Sequence, residues 1–373
     1  MTRRMIEWRH KPIHRIHVFT EHGLSSSIMN EFFEKFREFG CKIVLDPFVG
    51  SGTVLVEAQL RDIESIGIDS NPWALLVTKA KTTWPGDVEK WIKEYLGQVE
   101  DLEPFIPSKR LKRYHAPEIL ITLGRIRAAV ELASSDSKPI LLTVLGEVAY
   151  KFSKLKKSPA PRFKYTDRKE DHIATHSILS CFLNKLLEAL KDLRMCKMRV
   201  PAHLIWADST VWLPRRIDAI LTSPPFANNV DYIRHTQLSL LWMGISEAEL
   251  GSLRDIQLPA CEAAARKWRR GLYETWLMPY YDSIGGSRKT GFRRFLAQYL
   301  WAMNKHLELI AERLEWEAWY TIGDSVLGGG YIPTHELLAK LARRHGLKAT
   351  IHPLGSRMKR GLKIFLLRLA ASS

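Results

Sequence analysis

Residues 42–72 read KIVLDPFVGSGTVLVEAQLRDIESIGIDSNP, and this stretch decides the fold class. The apolar, β-branched KIVLDPF predicts a short buried strand with an acidic residue near its end, VGSGT predicts a glycine turn, and VLVEAQLR predicts an amphipathic helix. SIGI predicts a second strand that ends at Asp69, and Asn71-Pro72 is typical of the start of the next helix. Because strand–helix–strand units join parallel strands, the sequence predicts an α/β fold with a mostly parallel, twisted sheet flanked by helices.

More strands are predicted in the second half of the chain. The segments are HLIWAD (203–208), DAILTSPPF (218–226), EWEAWYTIGDS (315–325), TIHPL (350–354) and LKIFLLRL (362–369). Residues 85–200 show helical apolar spacing and predict an inserted helical subdomain. Residues 1–84 and 201–373 would then form the two parts of the sheet domain, with a smaller basic insertion at about 245–290.

The charge balance points to a polyanionic partner. The 373 residues contain 56 Lys and Arg against 40 Asp and Glu, a formal net charge of +16. Because phosphates attract such a surplus, nucleic acid is the first candidate partner, and a generally basic protein without that role is the alternative. The hydrophobic share of 46% excludes a disordered tail and predicts a sizeable core.

The cysteines and the hydropathy pattern argue against other classes of protein. Cysteines lie at positions 41, 181, 196 and 261 without a C-x-x-C pair, so we expect no zinc site, no other metal site and no disulfide framework. This usage favours a reducing compartment and a cytoplasmic location. No apolar run reaches the roughly 18 residues of a membrane span. The basic N-terminus lacks the apolar stretch of a signal peptide.

The glycine turn predicts a ligand site. Gly50 and Gly52 allow positive φ and a close approach of a ligand to the backbone, and the helix that follows offers unpaired N–H groups. Asp69 ends the next strand about 20 residues further on, where a carboxylate accepts hydrogen bonds from ribose hydroxyls. The alternatives are a purely structural turn and an Asp69 that only caps the helix starting near Pro72. Together the two features favour a nucleoside-containing cofactor at the carboxyl ends of parallel strands.

TSPPF (222–226) predicts a stiff loop after a buried strand. Two consecutive prolines remove two N–H donors and fix φ, so the carbonyls and the Ser223 side chain point in set directions. The ring of Phe226 follows directly. Such a loop suits a planar base that bears an amine, because polar acceptors can hold the amine while the ring stacks. A rigid structural turn is the alternative.

In this order, DPFVGSGT (46–53) followed by TSPPF resembles the S-adenosylmethionine-dependent amino-methyltransferases, which methylate the exocyclic amine of cytosine (N4) or adenine (N6), usually in DNA. Other segments are similar to further parts of that family, namely HKPIHRIHVFTEHGLSSSIMNEFFEKF, GIDSNPWALLVTKAKT, ADSTVWLP, TSPPFANNVDYIRHTQLSLLWMG and WYTIGDSVLGGGYIPTHELL. The resemblance covers about residues 10–82 and 203–244, with a weaker match over 315–366. It implies a Rossmann-like class I methyltransferase fold and S-adenosyl-L-methionine as the cofactor.

The resemblance also implies roles for individual residues. Phe19 would lie near the methionine end of the cofactor, Asp46 near its ammonium group and Asp208 near its adenine amine. The alternatives are core packing for the phenylalanine and turn caps for the two aspartates. The implied cofactor-binding residues are Phe19, Asp46, Pro47, Phe48, Gly50, Gly52, Thr53, Asp69, Ser70 and Asp208, and the implied catalytic loop consists of Ser223, Pro224, Pro225 and Phe226.

Two departures from the family pattern bear on the substrate. Ser223 replaces the Asp of D-P-P-Y, which favours N4 of cytosine and leaves N6 of adenine open, and Phe226 replaces the commoner Tyr. The resemblance implies a site-specific methyltransferase that acts on a flipped base in double-stranded DNA, either restriction-associated, with a cognate restriction endonuclease as partner, or solitary. The inserted helical subdomain would serve target recognition. An RNA base methyltransferase and a non-catalytic DNA-binding subunit are the alternatives. The roles of Asn228, Asn229 and Asp231, base contact or loop ordering, stay open, as does the oligomeric state.

Three basic segments are candidates for substrate contact. KFSKLKKSPAPRFKYTDRK (151–169) mixes basic residues, which neutralise phosphates, with aromatic residues, which stack on unpaired bases. RKWRR (266–270) and SRKTGFRR (287–294) have the same character, and a solvated charged surface is the alternative for all three. The candidate nucleic-acid-binding residues are Lys154, Lys156, Lys157, Arg162, Lys164, Arg269, Arg288 and Lys289.

Overall fold

A seven-stranded sheet forms the centre of the protein. The computed structural model describes residues 13–15, 24–156, 158, 161–164, 175–196, 199–265, 270–356 and 362–371. Its strands are β1 (Ile43–Asp46), β2 (Glu64–Asp69), β3 (Leu155–Lys156), β4 (Arg162–Phe163), β5 (Ala202–Trp206), β6 (Ala219–Thr222), β7 (Glu317–Gly323), β8 (Ser325–Leu327), β9 (Gly330–Ile332), β10 (Lys348–Ser356) and β11 (Lys363–Ala370). The sheet has the order β10-β11-β7-β6-β1-β2-β5, whereas β3–β4 and β8–β9 form separate hairpins.

The central sheet is mostly parallel, as the sequence predicts. β5, β2, β1, β6 and β7 run in one direction, and β11 is antiparallel to β7. The chain lays down β2 and β5 on one side of β1 and then returns to place β6 on the other side. The order therefore reverses between β1 and β6. The predicted α/β fold of the Rossmann-like type is confirmed.

Helices cover both faces of the sheet. They are α1 (Ser26–Glu38), α2 (Thr53–Gln59), α3 (Pro72–Thr82), α4 (Val88–Tyr95), α5 (Pro117–Glu131), α6 (Lys138–Lys151), α7 (Thr175–Arg194), α8 (Tyr232–Met243), α9 (Glu247–Ile256), α10 (Glu262–Ala265), α11 (Met278–Ser283), α12 (Lys289–Arg313) and α13 (Thr334–Arg344). Because successive strand residues point to opposite faces, Val44 packs with α1 and α2 while Leu45 packs with α12 and α13.

The predicted strands are confirmed to within a few residues. The strand predicted from DAILTSPPF ends at Thr222, just before the two prolines, because proline has no N–H to donate to a sheet. The strand predicted from HLIWAD ends at Trp206, so Asp208 lies in the turn beyond β5. The helix that follows β2 begins as predicted, since Asn71 is its N-cap and accepts from the Trp73 N–H at 3.0 Å.

The helical stretch between β2 and β5 shares a core with the sheet domain. Its helices α4 to α7 bury apolar side chains in one cluster with α3 and α8. Helix α6 can approach α3 closely because it carries Gly146, where a Cβ would lie 2.4 Å from the Trp73 ring. Trp242 of α8 is buried in the same cluster and donates to His115 at 3.2 Å. These contacts join the predicted insertion to the helix that follows the TSPPF loop.

Several features of the described residues bear on the classes considered above. None of the described helices combines the length and the apolar character that crossing a membrane requires. Within the same part of the chain, no group of three or more His, Cys, Asp or Glu side chains could hold a metal ion. The four cysteines, all of them described, are free thiols.

Candidate active site

The two motifs meet at the carboxyl ends of β1 and β6. The strands are paired in parallel, with Leu45 opposite Ile220. Asp46 at the end of β1 accepts a hydrogen bond from the Thr222 hydroxyl at 2.6 Å, and the same oxygen accepts from the Phe48 N–H at 3.1 Å. The glycine turn and the TSPPF loop therefore leave the sheet side by side. This is the point where the strand order reverses, and open α/β sheets bind their ligands there.

Glycine is required in the turn after β1. Gly50 and Gly52 have φ of 51° and 72°, and a Cβ on Gly52 would lie 2.6 Å from Cγ2 of Thr78. The turn is closed by the Gly52 N–H, which donates to the Val49 carbonyl at 2.8 Å. Beneath it, the buried Lys81 donates to the Ser51 carbonyl at 2.5 Å, and burial lowers the pKa of this amine to about 7.

Asp69 links the glycine turn to the loop after β2. One carboxylate oxygen accepts from the Gly50 N–H and the other from the Asn71 N–H, each at 2.9 Å. The alternative that Asp69 caps the next helix is wrong, because Asn71 holds that position. The Asn71 side chain also donates to Thr236 on α8 at 3.0 Å, so this loop is tied to the helix beyond TSPPF.

Three carboxyl groups follow neighbouring strands along this edge. Asp46, Asp69 and Asp208 lie at or just beyond the ends of β1, β2 and β5. Burial raises the pKa of Asp46 to about 7, with a smaller contribution from the charge of Asp69. Burial likewise raises the pKa of Asp69 to about 6 and raises the pKa of Asp208. Such an acidic edge suits a ligand with a positive charge and hydroxyl donors and opposes a pyrophosphate.

The end of β5 carries an aromatic residue, Trp206, that was not among the predicted site residues, and the turn after it contains Asp208. Asp208 accepts from both the N–H and the hydroxyl of Thr210, at 2.9 and 2.8 Å, so it does order a turn, as the alternative held. Trp206 is 60% exposed, and its indole N–H donates to the Ser70 carbonyl at 3.0 Å. A tryptophan at the end of a predicted strand, two residues before Asp208, was the available signal in the sequence, since a large apolar ring at a strand end offers a stacking surface.

A buried histidine supports the edge from below. His306 of α12 donates through Nδ1 to the Ser209 carbonyl at 2.9 Å, so Nε2 accepts from the Tyr320 hydroxyl at 2.8 Å. Its ring lies 5.0 Å from that of Phe48. Burial lowers the pKa of His306 to about 4, so the ring is neutral near pH 7. The histidine thus joins Phe48, the turn after β5 and β7, and its 97-residue separation from Ser209 makes that contact one that no local pattern predicts.

The TSPPF loop is held from outside. Ser223 donates to the Thr321 carbonyl at 3.4 Å, and the buried Tyr299 of α12 donates to the Pro225 carbonyl at 3.0 Å. The Phe226 side chain is 6% exposed, less than a ring at a loop tip would show. Asn229, at φ 62°, accepts from the Glu262 N–H at 2.8 Å.

Two of the three polar residues after this loop therefore have ordering roles. Asn229 ties the loop to α10, and Asp231 is the N-cap of α8. The side-chain oxygen of Asn228 is buried without a hydrogen-bond partner among the described residues. It is the acceptor in this segment that a ligand could still use.

A polar cluster follows β7 at the same edge. Asp324 accepts from His335 Nδ1 at 2.6 Å and from the Tyr331 hydroxyl at 2.5 Å, and the His335 ring stacks on Phe365 at 3.5 Å. Because Thr222 pairs with Tyr320 across the two strands, this cluster lies beside the TSPPF loop. All three polar residues lie within the segment WYTIGDSVLGGGYIPTHELL, which resembles part of the family, but none of them was among the predicted site residues.

The basic candidates are only partly placed. Two of them, Lys157 and Arg269, lie outside the described residues, as does Phe19, the candidate for the methionine end of the cofactor. Lys154, Lys156, Arg162 and Lys164 lie on or beside the β3–β4 hairpin, with Lys164 donating to the Ser153 carbonyl at 2.7 Å. Arg288 forms an ion pair with Glu262 and covers the Phe292 ring, and Lys289 begins α12. The described basic candidates therefore fall into two groups, one at the β3–β4 hairpin and one at the start of α12.

The strand order, with its reversal beside a glycine turn, is consistent with a Rossmann-like methyltransferase. Curated proteins agree with this class. The chain is 24% identical over 306 residues to Type II methyltransferase M.BsoBI of Geobacillus stearothermophilus, a match that covers 70% of this chain and 58% of the relative. It is 22% identical over 278 residues to Type II methyltransferase M.MvaI of Kocuria varians, covering 66% and 61%.

A shorter match is 36% identical over 104 residues to Type II methyltransferase M.MjaII of Methanocaldococcus jannaschii, covering 28% of this chain and 18% of the relative. The chain thus spans about six tenths of the length of the relatives it matches most fully. No protein-family model matches it. These relatives confirm the resemblance to methyltransferases that the sequence motifs indicate.

Proposed function

We propose that the protein is an S-adenosylmethionine-dependent, site-specific DNA methyltransferase that modifies the exocyclic amine of a flipped base, N4 of cytosine. The observation that carries the proposal is the hydrogen bond between Asp46 and Thr222. It joins the glycine turn, which suits the methyl donor, to the Pro-Pro loop, which suits the target base. The Type II methyltransferase names of the relatives support the same reaction and a place in restriction-modification, with a cognate endonuclease as partner.

The residues at the edge fit the methyl donor. Asp46 would hold the ammonium group, Asp69 the ribose hydroxyls and Asp208 the adenine amine, in the order of β1, β2 and β5. Pro47, Phe48, Gly50, Gly52, Thr53 and Ser70 would line the same cleft. The fit rests on charge. Burial raises the pKa values of Asp46, Asp69 and Asp208, and a cationic methyl donor would stabilise their ionised forms.

The donor supplies an electrophilic methyl group on a positively charged sulfur. The chain's own task is to orient the target amine, whose lone pair is delocalised into the base and is a poor nucleophile. The Ser223 hydroxyl, engaged only by a long 3.4 Å bond to Thr321, is available to accept from the amine. The Pro224 and Pro225 carbonyl region would accept the second amine hydrogen, and Phe226 would contact the ring. Holding both hydrogens favours the attacking geometry.

The base must leave the stack to reach this loop, at a cost of a few kcal/mol. Serine in place of the family's aspartate supports N4 of cytosine. The same loop would have to hold the larger purine ring if the target were N6 of adenine. The experiment must therefore identify the methylated base as well as detect methyl transfer.

The test is transfer of label from tritiated S-adenosylmethionine to DNA and, in a separate reaction, to RNA. We expect label in DNA and N4-methylcytosine in its nucleoside digest by mass spectrometry. N6-methyladenine would correct the base and keep the reaction. Label in RNA alone, or in neither substrate while calorimetry shows donor uptake, would overturn the proposal.

A further inference from the structure

A large groove opens where the TSPPF loop ends. It has a volume of about 760 Å³ and begins at the first turn of α8. One wall is the short helix Lys109–Arg113 together with the β3–β4 hairpin, and the other is α9. Segments from the helical stretch and from the smaller insertion therefore face each other across the helix that follows the catalytic loop.

The groove is cationic. Five arginines line it, against the two aspartates 231 and 255; the arginines are Arg110, Arg113, Arg162, Arg234 and Arg254. Arg110 is paired with Glu247 at 3.3 Å, and Arg254 with Asp231 at 3.4 Å. The other three are exposed and have no ion-pair partner within the described part of the chain. Unpaired guanidinium groups from separate segments, aimed into one groove, suit phosphate oxygens.

An aromatic ring lies among these arginines. Phe163 is 49% exposed and stacks on Tyr114, with ring centres 6.0 Å apart and planes at 17°. The Tyr114 hydroxyl is hydrogen-bonded to the buried amide of Gln237 at 3.0 Å, so α8 fixes the supporting ring. A half-exposed ring between cations is the arrangement with which proteins bind single-stranded nucleic acid, because bases stack while the backbone is neutralised.

We propose that this groove binds one or two nucleotides of the substrate strand beside the target base, with Arg113, Arg162 and Arg234 on phosphates and Phe163 on a base face. The inference rests on the proposed function and deepens it, since it places the flanking nucleotides. The volume agrees, because pockets of about 300–1,000 Å³ hold drug-sized ligands. Extruding a base exposes the faces of its neighbours, which provides the unpaired surface that the ring needs.

The first test removes the three unpaired charges together. The triple variant Arg113→Gln, Arg162→Gln, Arg234→Gln is compared with Lys42→Gln, Arg199→Gln, Arg216→Gln. The control residues are exposed and precede β1, β5 and β6 at the opposite edge of the sheet. Binding of a 20-residue thymidine oligonucleotide is followed by fluorescence anisotropy at several salt concentrations. We expect the slope of log affinity against log salt to fall by about 2 in the groove variant and to be unchanged in the control.

The second test separates bases from phosphates. An abasic oligonucleotide of equal length keeps every phosphate and lacks the bases. We expect Phe163→Ala to weaken binding of the thymidine oligonucleotide about 5- to 100-fold and to leave binding of the abasic one unchanged. Equal losses on both probes, or none on either, would overturn the base-stacking role.

These readouts do not depend on methyl transfer. If the wild type methylates DNA while the groove variant matches its control in salt dependence, the groove inference is wrong and the proposed function stands. A further competitor is polyglutamate with the same total charge as the abasic probe. If it displaces the thymidine oligonucleotide from the wild type as effectively as the abasic probe does, the groove is a general polyanion surface and the inference is again wrong. Donor uptake measured by calorimetry, expected to be equal in all variants, shows that each one is folded.

Discussion

Two loops leave neighbouring strands at the same edge of the sheet and differ in the residues that fix them. The turn after β1 has glycines at positive φ, and the Gly50 N–H donates a hydrogen bond to Asp69. The loop after β6 has two prolines that remove donors, and it is fixed from outside by Tyr299 and by β7. The first loop therefore offers close approach to backbone, and the second offers rigid acceptors. We expect the first to govern donor affinity and the second to govern transfer.

The largest expected effect is at the second loop. Ser223→Ala removes an acceptor that acts on the amine as it attacks, so the single-turnover rate should fall about 100- to 1,000-fold. Donor affinity by calorimetry should stay within about 2-fold, because the first loop is untouched. The exposed Ser135→Ala is the matched control and should change neither quantity. Loss of donor affinity in parallel with the rate would show a folding defect and contradict the division of labour.

The converse effect is expected at Asp69. Asp69→Asn retains the shape but places an NH₂ group against the N–H of Gly50 or Asn71, which both need an acceptor. Because hydrogen bonds to charged groups contribute about 1.5–3 kcal/mol, donor affinity should fall about 10- to 150-fold. Transfer at saturating donor should change much less. A variant that lost rate and kept affinity would reverse the comparison.

The sequence could predict the first loop more fully than the second. KIVLDPFVGSGT and SIGIDSNP carry their strands, turn and helix caps locally, and Asn71 and Gly52 act as their residue types suggest. The second loop is fixed by Tyr299 and Thr321, about 75 and 100 residues away, and these contacts depend on how α12 and β7 pack. No local pattern shows which carbonyl one tyrosine of α12 reaches.

The groove was likewise only partly predictable from the sequence. The basic segment 151–169 was visible as a charge run, and it supplies Arg162 and Phe163. The partner Arg113 ends the basic run KRLKR (109–113), a signal that was present in the sequence and was not used, whereas Arg234 stands alone in α8 and carries no local signal. Only the packing of α8 against the helical stretch brings them together. Of the basic candidates taken from the sequence, Arg288 instead pairs with Glu262.

A third prediction concerns the stability of the glycine turn. Gly52→Ala adds a Cβ 2.6 Å from Thr78 Cγ2 at a φ of 72°, so we expect a loss of about 1–3 kcal/mol in the free energy of unfolding. Thr78→Ala in the same chain removes two of the three clashing atoms and should restore part of the loss. Urea denaturation measures both. Strictly additive effects of the two changes would show that the clash is absent.

A fourth prediction concerns pH. The pKa of Asp46 is raised from 3.8 to about 7, so below pH 7 the carboxyl must release a proton to pair with a cationic donor. Donor affinity should therefore rise with pH, up to about tenfold per unit below 7, and level off above it. In the free protein the sign is opposite: the stability linked to Asp46 is full below pH 3.8 and is lost as pH rises to about 7.

Calorimetry in buffers of different ionisation enthalpy measures that proton release directly. Thr222→Val tests the assignment to Asp46, since the Thr222 hydroxyl stabilises the ionised Asp46 carboxylate. Its removal should raise the pKa further and move the affinity profile to higher pH. A profile that is flat between pH 5 and 8 in both proteins would show that Asp46 does not meet the cation.

The smallest effect is expected at the outer support of the second loop. Tyr299→Phe keeps the buried ring and leaves the Pro225 carbonyl without its 3.0 Å donor. A typical hydrogen bond contributes about 0.5–1.5 kcal/mol, so the transfer rate should fall about 2- to 12-fold. Donor affinity should not change, because the first loop has its own bonds to Asp69. Tyr280→Phe, on α11, keeps the same chemistry away from the loop and serves as the control. If Tyr299→Phe weakened donor binding more than transfer, the two loops would act as one unit, and the contrast between a glycine turn held by Asp69 and a proline loop held by Tyr299 would fail.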